Sequence, residues 1–219
     1  DQVEIPHLHD YGKAENTVLL YQFKPDINAY LATRKGLKVH TLADLIAFDN
    51  AHAAEEMPWF GQELFTESEA KGPLTDKAYK DALAKLQHLA GPEGIDAAMK
   101  AHHLDALLAP AQGPSWTIDL VDGDGGTPSA YGAAAVAGYP AITVPAGFVH
   151  GLPVGMLFFG HKWSEPTLIG IAYAYEQATH ARRNPQFLES LPAPTGIDPW
   201  TGKSHASAQP SKQAISSKM

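Results

Sequence analysis

Apolar side chains recur every three or four positions through most of the first hundred residues. They then give way to short continuous apolar runs, a change that predicts helices followed by alternating strands and helices. Between residues 12 and 34, Val18, Leu19, Tyr21, Phe23, Ile27, Tyr30 and Leu31 recur at near-helical spacing. Pro25 falls inside that stretch and, beside Asp26, either kinks one helix or opens the first turn of a second. Residues 1–6 read as the end of a strand and residues 38–40 as a short extended piece. Thr41 is placed to cap a new helix, with Asp44 three residues on at the positive helix end and Leu42, Leu45 and Ile46 as its apolar face. Residues 55–70 are acidic and partly helical, broken by Pro58 and Gly61. Thr75-Asp76 opens the best-punctuated helix. Tyr79, Leu83, Leu86 and Leu89 or Ala90 form its stripe, and Gly91-Pro92 is expected to stop it. A short helix over 93–103 should turn Ile95 and Met99 inward.

The second half changes character. Residues 106–109 are short, apolar and bounded by Asp105 and Pro110, which predicts a buried strand. Residues 112–128, rich in Gly, Pro, Asp and Thr, read as a loop. The alanine- and glycine-rich run 129–138 predicts a helix small enough to approach a sheet or another helix closely, hence a central one. Residues 141–144 and 154–159 read as strands joined by a turn at His150-Gly151, and 165–179 as a last helix with Leu168, Ile171, Ala172 and Tyr175 on one face. Elements of both kinds, alternating late in the chain, make the fold class α/β with a helical first half. From Pro192 the composition shifts to Pro, Ser, Lys, Gln and Thr, so 1–191 is expected to form the folded domain and 192–219 a polar, mobile tail. No internal repeat is evident.

Composition narrows the function classes. With 219 residues, 44% hydrophobic and 18% charged, the chain can bury a substantial core. A formal net charge of -8 argues against a general nucleic-acid binder. No apolar run approaches the roughly 20 residues of a membrane helix, so no membrane partner is implied. The absence of cysteine excludes disulfides, thiolate zinc sites and a cysteine nucleophile. The start at Asp1, with neither an initiator methionine nor a signal peptide, reads as a cut inside a longer polypeptide or a processed end.

Three segments carry a resemblance: 104–110, 129–147 (with Ala135-Val-Ala-Gly-Tyr-Pro140 and Thr143-Val-Pro-Ala-Gly147) and 151–160, opening on Gly151-Leu-Pro-Val-Gly155. With Lys24-Pro-Asp-Ile-Asn-Ala-Tyr-Leu31 and Thr41-Leu-Ala-Asp-Leu-Ile46, they resemble the C-terminal half of the amidase signature family over roughly residues 1–191. Glu56-Met-Pro-Trp-Phe-Gly-Gln-Glu63 and Tyr173-Ala-Tyr-Glu-Gln-Ala-Thr179 resemble its bacterial peptide amidase-like branch. The resemblance implies mixed sheet strands flanked by helices. It also implies amide hydrolysis by a Ser–Ser–Lys triad, one serine attacking, a second relaying the proton and a lysine acting as base. That triad has no counterpart here. The family's Gly-Ser-Ser motif is absent, and the only adjacent serines, Ser216-Ser217, lie in the polar tail. By resemblance, therefore, the chain supplies scaffold and one wall of a cleft for a small amide substrate, and no catalytic residue carries over. Its partner would be the N-terminal half bearing the triad, and without that half the uncovered sheet would favour self-association. The alternatives are a non-catalytic scaffold or interaction subunit on the same fold, or an enzyme with its own site at the Asp-rich loop.

Individual residues sharpen this reading. The loop 113–126 joins a buried strand to the close-packed helix, where α/β proteins often place ligand contacts. In it Trp116 could pack on the apolar part of a substrate, and Asp119, Asp122 or Asp124 could bind its polar end. The plainer reading is a surface loop with Trp116 covering the core. Asp122-Gly-Asp-Gly-Gly126 lacks the oxygen array and distal glutamate of a calcium loop, and its glycines lack dinucleotide spacing. His7-Leu-His9 and His102-His103 have no third zinc ligand near them in sequence, so no metal or other cofactor is implied. Ser129, after Thr127-Pro128, reads as a helix cap.

Overall fold

A computed structural model describes residues 2–123 and 125–185. Residues 1–182 form one compact unit. Of the second, Arg183–Met219, only residues 183–185 are described, and they are irregular and exposed. The expected tail 192–219 lies outside the described residues.

Among the described residues, α1 (Gly12–Ala32), α2 (Leu42–Ala51), α3 (Ala53–Glu56), α4 (Glu63–Glu69), α5 (Lys77–Ala90) and α6 (Asp96–His102) precede strand β1 (Leu107–Pro110). Then come α7 (Gly132–Ala137), β2 (Ala141–Val149), β3 (Leu152–Phe159) and α8 (Glu165–Thr179). The strands form one sheet in the order β1-β3-β2, antiparallel throughout. The expected mixed sheet is thereby corrected. Parallel pairing needs a crossover between neighbouring strands, and here β2 and β3 are joined by a two-residue hairpin. His150 and Gly151 form its turn with φ of 49° and 81°, values that fit the right-handed twist of the flanking strands.

The central strand β3 divides the core. Leu157 and Phe159 face Ile95, Met99, Leu107, Ala133 and Ala134, while Phe158 faces Val144, Leu168 and Ala172 on the other side of the sheet. A third cluster joins Tyr11, Val18, Tyr79, Leu86, Ala90 and Val136. Helix α7 contributes to two of these clusters, Ala133 and Ala134 to one and Val136 to the other. This fits the central position that its small side chains predict.

Several local expectations fail for tertiary reasons. Of the two readings of Pro25, the start of a second helix is the one that fails, because α1 runs unbroken from Gly12 to Ala32. The helix is tied on either side of it: Lys24 Nζ meets Glu69 Oε1 at 2.7 Å, and Asn28 Oδ1 accepts from the Leu42 N–H at 2.7 Å. Leu19, placed in the stripe by spacing, is exposed, and Leu20 is buried instead. Gly91-Pro92 does not stop α5, because a π-helical segment, Gly91–Ile95, carries the chain straight into α6. The wide turn absorbs the missing proline N–H, and the glycines permit close packing. A Cβ at Gly91 would lie 2.9 Å from the Tyr139 hydroxyl, and one at Gly94 would lie 2.7 Å from the Leu89 carbonyl oxygen. Residues 2–5 and 38–40 are irregular, with no strand partner among the described residues. Ser129 does not cap a helix. It bridges to Gln112, and α7 begins at Gly132.

Other expectations hold. Thr41 and Asp44 form a complete capping box. The Thr41 hydroxyl accepts from the Asp44 N–H at 3.1 Å, and the Asp44 carboxylate accepts from the Thr41 N–H at 3.0 Å. Ile95 and Met99 are buried, as are Tyr79, Leu86 and Ala90 along α5.

Candidate functional site

The loop between β1 and α7 is fixed at its base. Beyond β1, the Ala111 N–H donates to the Gly155 carbonyl at 2.9 Å. On the other side of the chain, the Ala130 N–H donates to Ala111 at 3.1 Å and the Gly113 N–H to Pro128 at 3.2 Å. Residues 111–113 and 128–130 thus run as a short antiparallel neck around the Gln112–Ser129 bridge. Only glycine fits at position 113, where a Cβ would sit 2.6 Å from the Thr127 Cβ. The Thr127 hydroxyl is buried in the neck without a hydrogen-bond partner among the described residues.

Past the neck the loop is solvent-facing and unusually apolar. Ile118 and Val121 are 83% and 88% exposed, and Trp116 and Leu120 are about half exposed. Asp119 organises the tip, where its Oδ1 accepts from the N–H groups of Val121 and Asp122, each at 2.9 Å. Those bonds, that from Asp122 first, hold its carboxyl below the usual carboxylate range. Asp119 therefore shapes the turn, with one carboxylate oxygen committed to the backbone. Asp122 lies in the same turn and is exposed. Asp124 lies outside the described residues.

The remaining candidates fall elsewhere. His7 sits in a turn at φ 59°, not on a strand, with Nδ1 2.8 Å from Asp10 Oδ2. His102 and His103 end α6. Among the described residues no three His, Cys, Asp or Glu side chains are placed to hold a metal ion. Nor, among them, is any serine hydroxyl hydrogen-bonded to a lysine or histidine side chain, the contact an activated serine needs.

Sequence spacing gave no sign of a second cluster. Asp96, at the start of α6, accepts from the Tyr139 hydroxyl at 2.8 Å through Oδ2 and lies 3.0 Å from His161 Nδ1 through Oδ1. Burial and the Asp96 hydrogen bond push the Tyr139 phenol up to about 12. These residues stand 43 and 65 positions from Asp96, beyond the reach of any local pattern.

The chain as a whole is similar to known amidases. The chain is 52% identical to a peptide amidase solved with the competitive inhibitor chymostatin, with a TM-score of 0.78 over 84% of this chain and 38% of that one. It is 51% identical to the native peptide amidase of Stenotrophomonas maltophilia, with a TM-score of 0.75 over 84% and 37%. Among curated proteins, a probable amidase of Arabidopsis thaliana is 36% identical over 176 residues, 80% of this chain and 31% of that protein. A putative amidase of Schizosaccharomyces pombe is 30% identical over 191 residues, 83% and 32%. No family model matches. The fold and these likenesses define an amidase-type α/β protein. The chain belongs to the amidase signature family, on its peptide amidase-like branch, and spans about a third of the length of the curated relatives it matches.

Proposed function

We propose that this chain is the C-terminal portion of a carboxamide hydrolase of the peptide amidase type. It supplies scaffold and one wall of the substrate cleft to a partner half that carries the Ser–Ser–Lys triad. One observation carries this reading: a 52% identical likeness that covers most of this chain and little more than a third of the peptide amidase. The lack of a Gly-Ser-Ser motif in the sequence supports it. In the assembled enzyme, water would cleave the C–N bond of a carboxamide, leaving a carboxylate and releasing ammonia or an amine.

The loop 113–126 is the chain's contribution to the cleft. Trp116 packs on the apolar part of the substrate, and Asp122 and Asp124 meet its polar end. Asp119 takes part by holding the turn that presents Asp122. On this reading the isolated chain has no nucleophile of its own, and it self-associates through the open edges of β1 and β2.

The test exposes the purified chain to a fluorophosphonate probe and to a peptide carboxamide, alone and with the triad-bearing half of the Stenotrophomonas maltophilia peptide amidase. The expectation is no labelled serine and no ammonia from the chain alone, and ammonia release once the halves associate. A single labelled serine in the chain alone would overturn the reading. A stable but inactive complex of the halves would favour a non-catalytic scaffold role instead.

A further inference from the structure

The groove beside Asp96 has the makings of an anion site, independent of the amidase reading. It is open, about 540 Å³, and lined by Asp96, Met99 and Lys100 of α6, by His103 and Leu104 just after it, and by His161 and Lys162 of the β3–α8 connection. In a chain of net charge -8 this is a local reversal of sign.

The Asp96 carboxylate offsets only one of the two ammonium charges, and its oxygens are turned to other partners, one to the Tyr139 hydroxyl and one to the His161 ring. Among the described residues neither Lys100 nor Lys162 has a carboxylate partner within ion-pair distance. Cations at a helix C-terminus offset its exposed carbonyls, which accounts for Lys100. It does not account for His161 and Lys162, which arrive from a different part of the chain.

The connection that brings them is held in an unfavourable conformation. Trp163 has φ of 67°, a left-handed value that is rare for a bulky side chain, yet it is 77% exposed and fills no core position. Lys162 Nζ lies over its ring at 5.7 Å from the centroid. The Ser164 hydroxyl and N–H both donate to the His161 carbonyl, at 2.7 and 3.2 Å, and close the turn. Local hydrogen bonds close the turn, and the same connection carries His161, whose ring reaches Asp96 at the start of α6.

We propose that this groove binds a phosphate group. Two ammonium groups without a carboxylate partner among the described residues suit the charge of about -1.5 to -2 that a phosphate monoester carries at neutral pH. Lys100 and Lys162 supply the charge, His103 supplies a further ring N–H, and Leu104 provides an apolar wall for whatever bears the phosphate.

The test is a nitrogen-15 NMR titration of the full chain with inorganic phosphate at constant ionic strength, paired with sodium chloride and acetate titrations. Saturable shifts confined to the amides of Lys100, His103, His161 and Lys162 are expected with phosphate. The Lys100→Gln/Lys162→Gln variant, altered only at exposed positions, should bind at least tenfold more weakly while keeping its circular dichroism spectrum. Equal shifts with chloride or acetate would overturn the assignment, as would undiminished binding by the variant.

Discussion

Replacing Tyr139 with Phe removes one oxygen and tests the hydrogen bond between the β2 approach and α6. The Tyr139 hydroxyl donates to Asp96 Oδ2 at 2.8 Å, and a hydrogen bond to a charged acceptor contributes about 1.5–3 kcal/mol. Asp96 is 37% exposed and keeps His161 as a partner, so water can take the vacated place. The loss therefore falls at the low end, about 1–2 kcal/mol. For a unit of this size that lowers Tm by roughly 2–8 °C. The pH dependence has a definite sign. Folding raises the phenol from 10.0 to about 12, through burial first and the Asp96 contact second. The stabilisation is thus complete below pH 10 and fades as the pH rises through about 12. Urea unfolding of wild type and Tyr139→Phe at neutral pH gives the energy, and tyrosinate absorbance in an alkaline titration gives the pKa. A variant within about 0.3 kcal/mol of wild type, or one that keeps the late-titrating tyrosine, would refute the reasoning.

Three further outcomes rest on other contacts of the fold. Thr41→Ala removes half of the capping box on α2 and should cost about 1 kcal/mol, with Thr41→Ser recovering most of it, both read from urea midpoints. Leu168→Ala empties the contact between α8 and the sheet, where Leu168 is 1% exposed, and should cost about 2–5 kcal/mol by calorimetry. Asp119→Ala frees the Val121 and Asp122 amides, so their hydrogen exchange should accelerate while the core stays protected. Because the Asp119 pKa is lowered below 3.8, protection of those amides in wild type should persist above that pH and fade as acid drives the carboxyl through its lowered value.

The features legible in the sequence are those whose causes lie within a few residues. The Thr41–Asp44 capping box, the stripe along α5 and the His150-Gly151 turn each depend on neighbours three or four positions away at most. The alanines of α7 announce a close-packed helix because small side chains can do little else. What escaped depends on contacts distant in sequence. Gly91-Pro92 reads as a stop until Tyr139 and Leu89 are seen pressing on Gly91 and Gly94. Pro25 leaves a kinked helix and a second helix both open until α1 is seen to run through it, with Lys24 and Asn28 anchored to α4 and α2. Ser129 follows Thr-Pro like a helix cap, but its backbone is captured by Gln112. The Asp96 cluster joins three segments and leaves no periodic trace.

The candidate loop shows why a rigid core matters to a function carried by its surface. One end of the loop is continuous with β1, whose Leu107 lies in the same buried cluster as Ala133 and Ala134 of α7, the element at the other end. Both ends are therefore set by a single packing contact, and the neck hydrogen bonds of Ala111, Gly113 and Ala130 carry that placement outward. Beyond the neck nothing apolar is gained by folding Ile118 and Val121 as they stand, since both remain almost fully exposed. An apolar tip on a fixed base is stabilised once something covers it. In the proposed enzyme that cover comes from the substrate and the triad-bearing half. Changes at the tip, such as Val121→Ser, should then leave the chain's own stability within about 0.5 kcal/mol of wild type and act only on the assembled enzyme. Changes in the neck, such as Gly113→Ala, should disturb both.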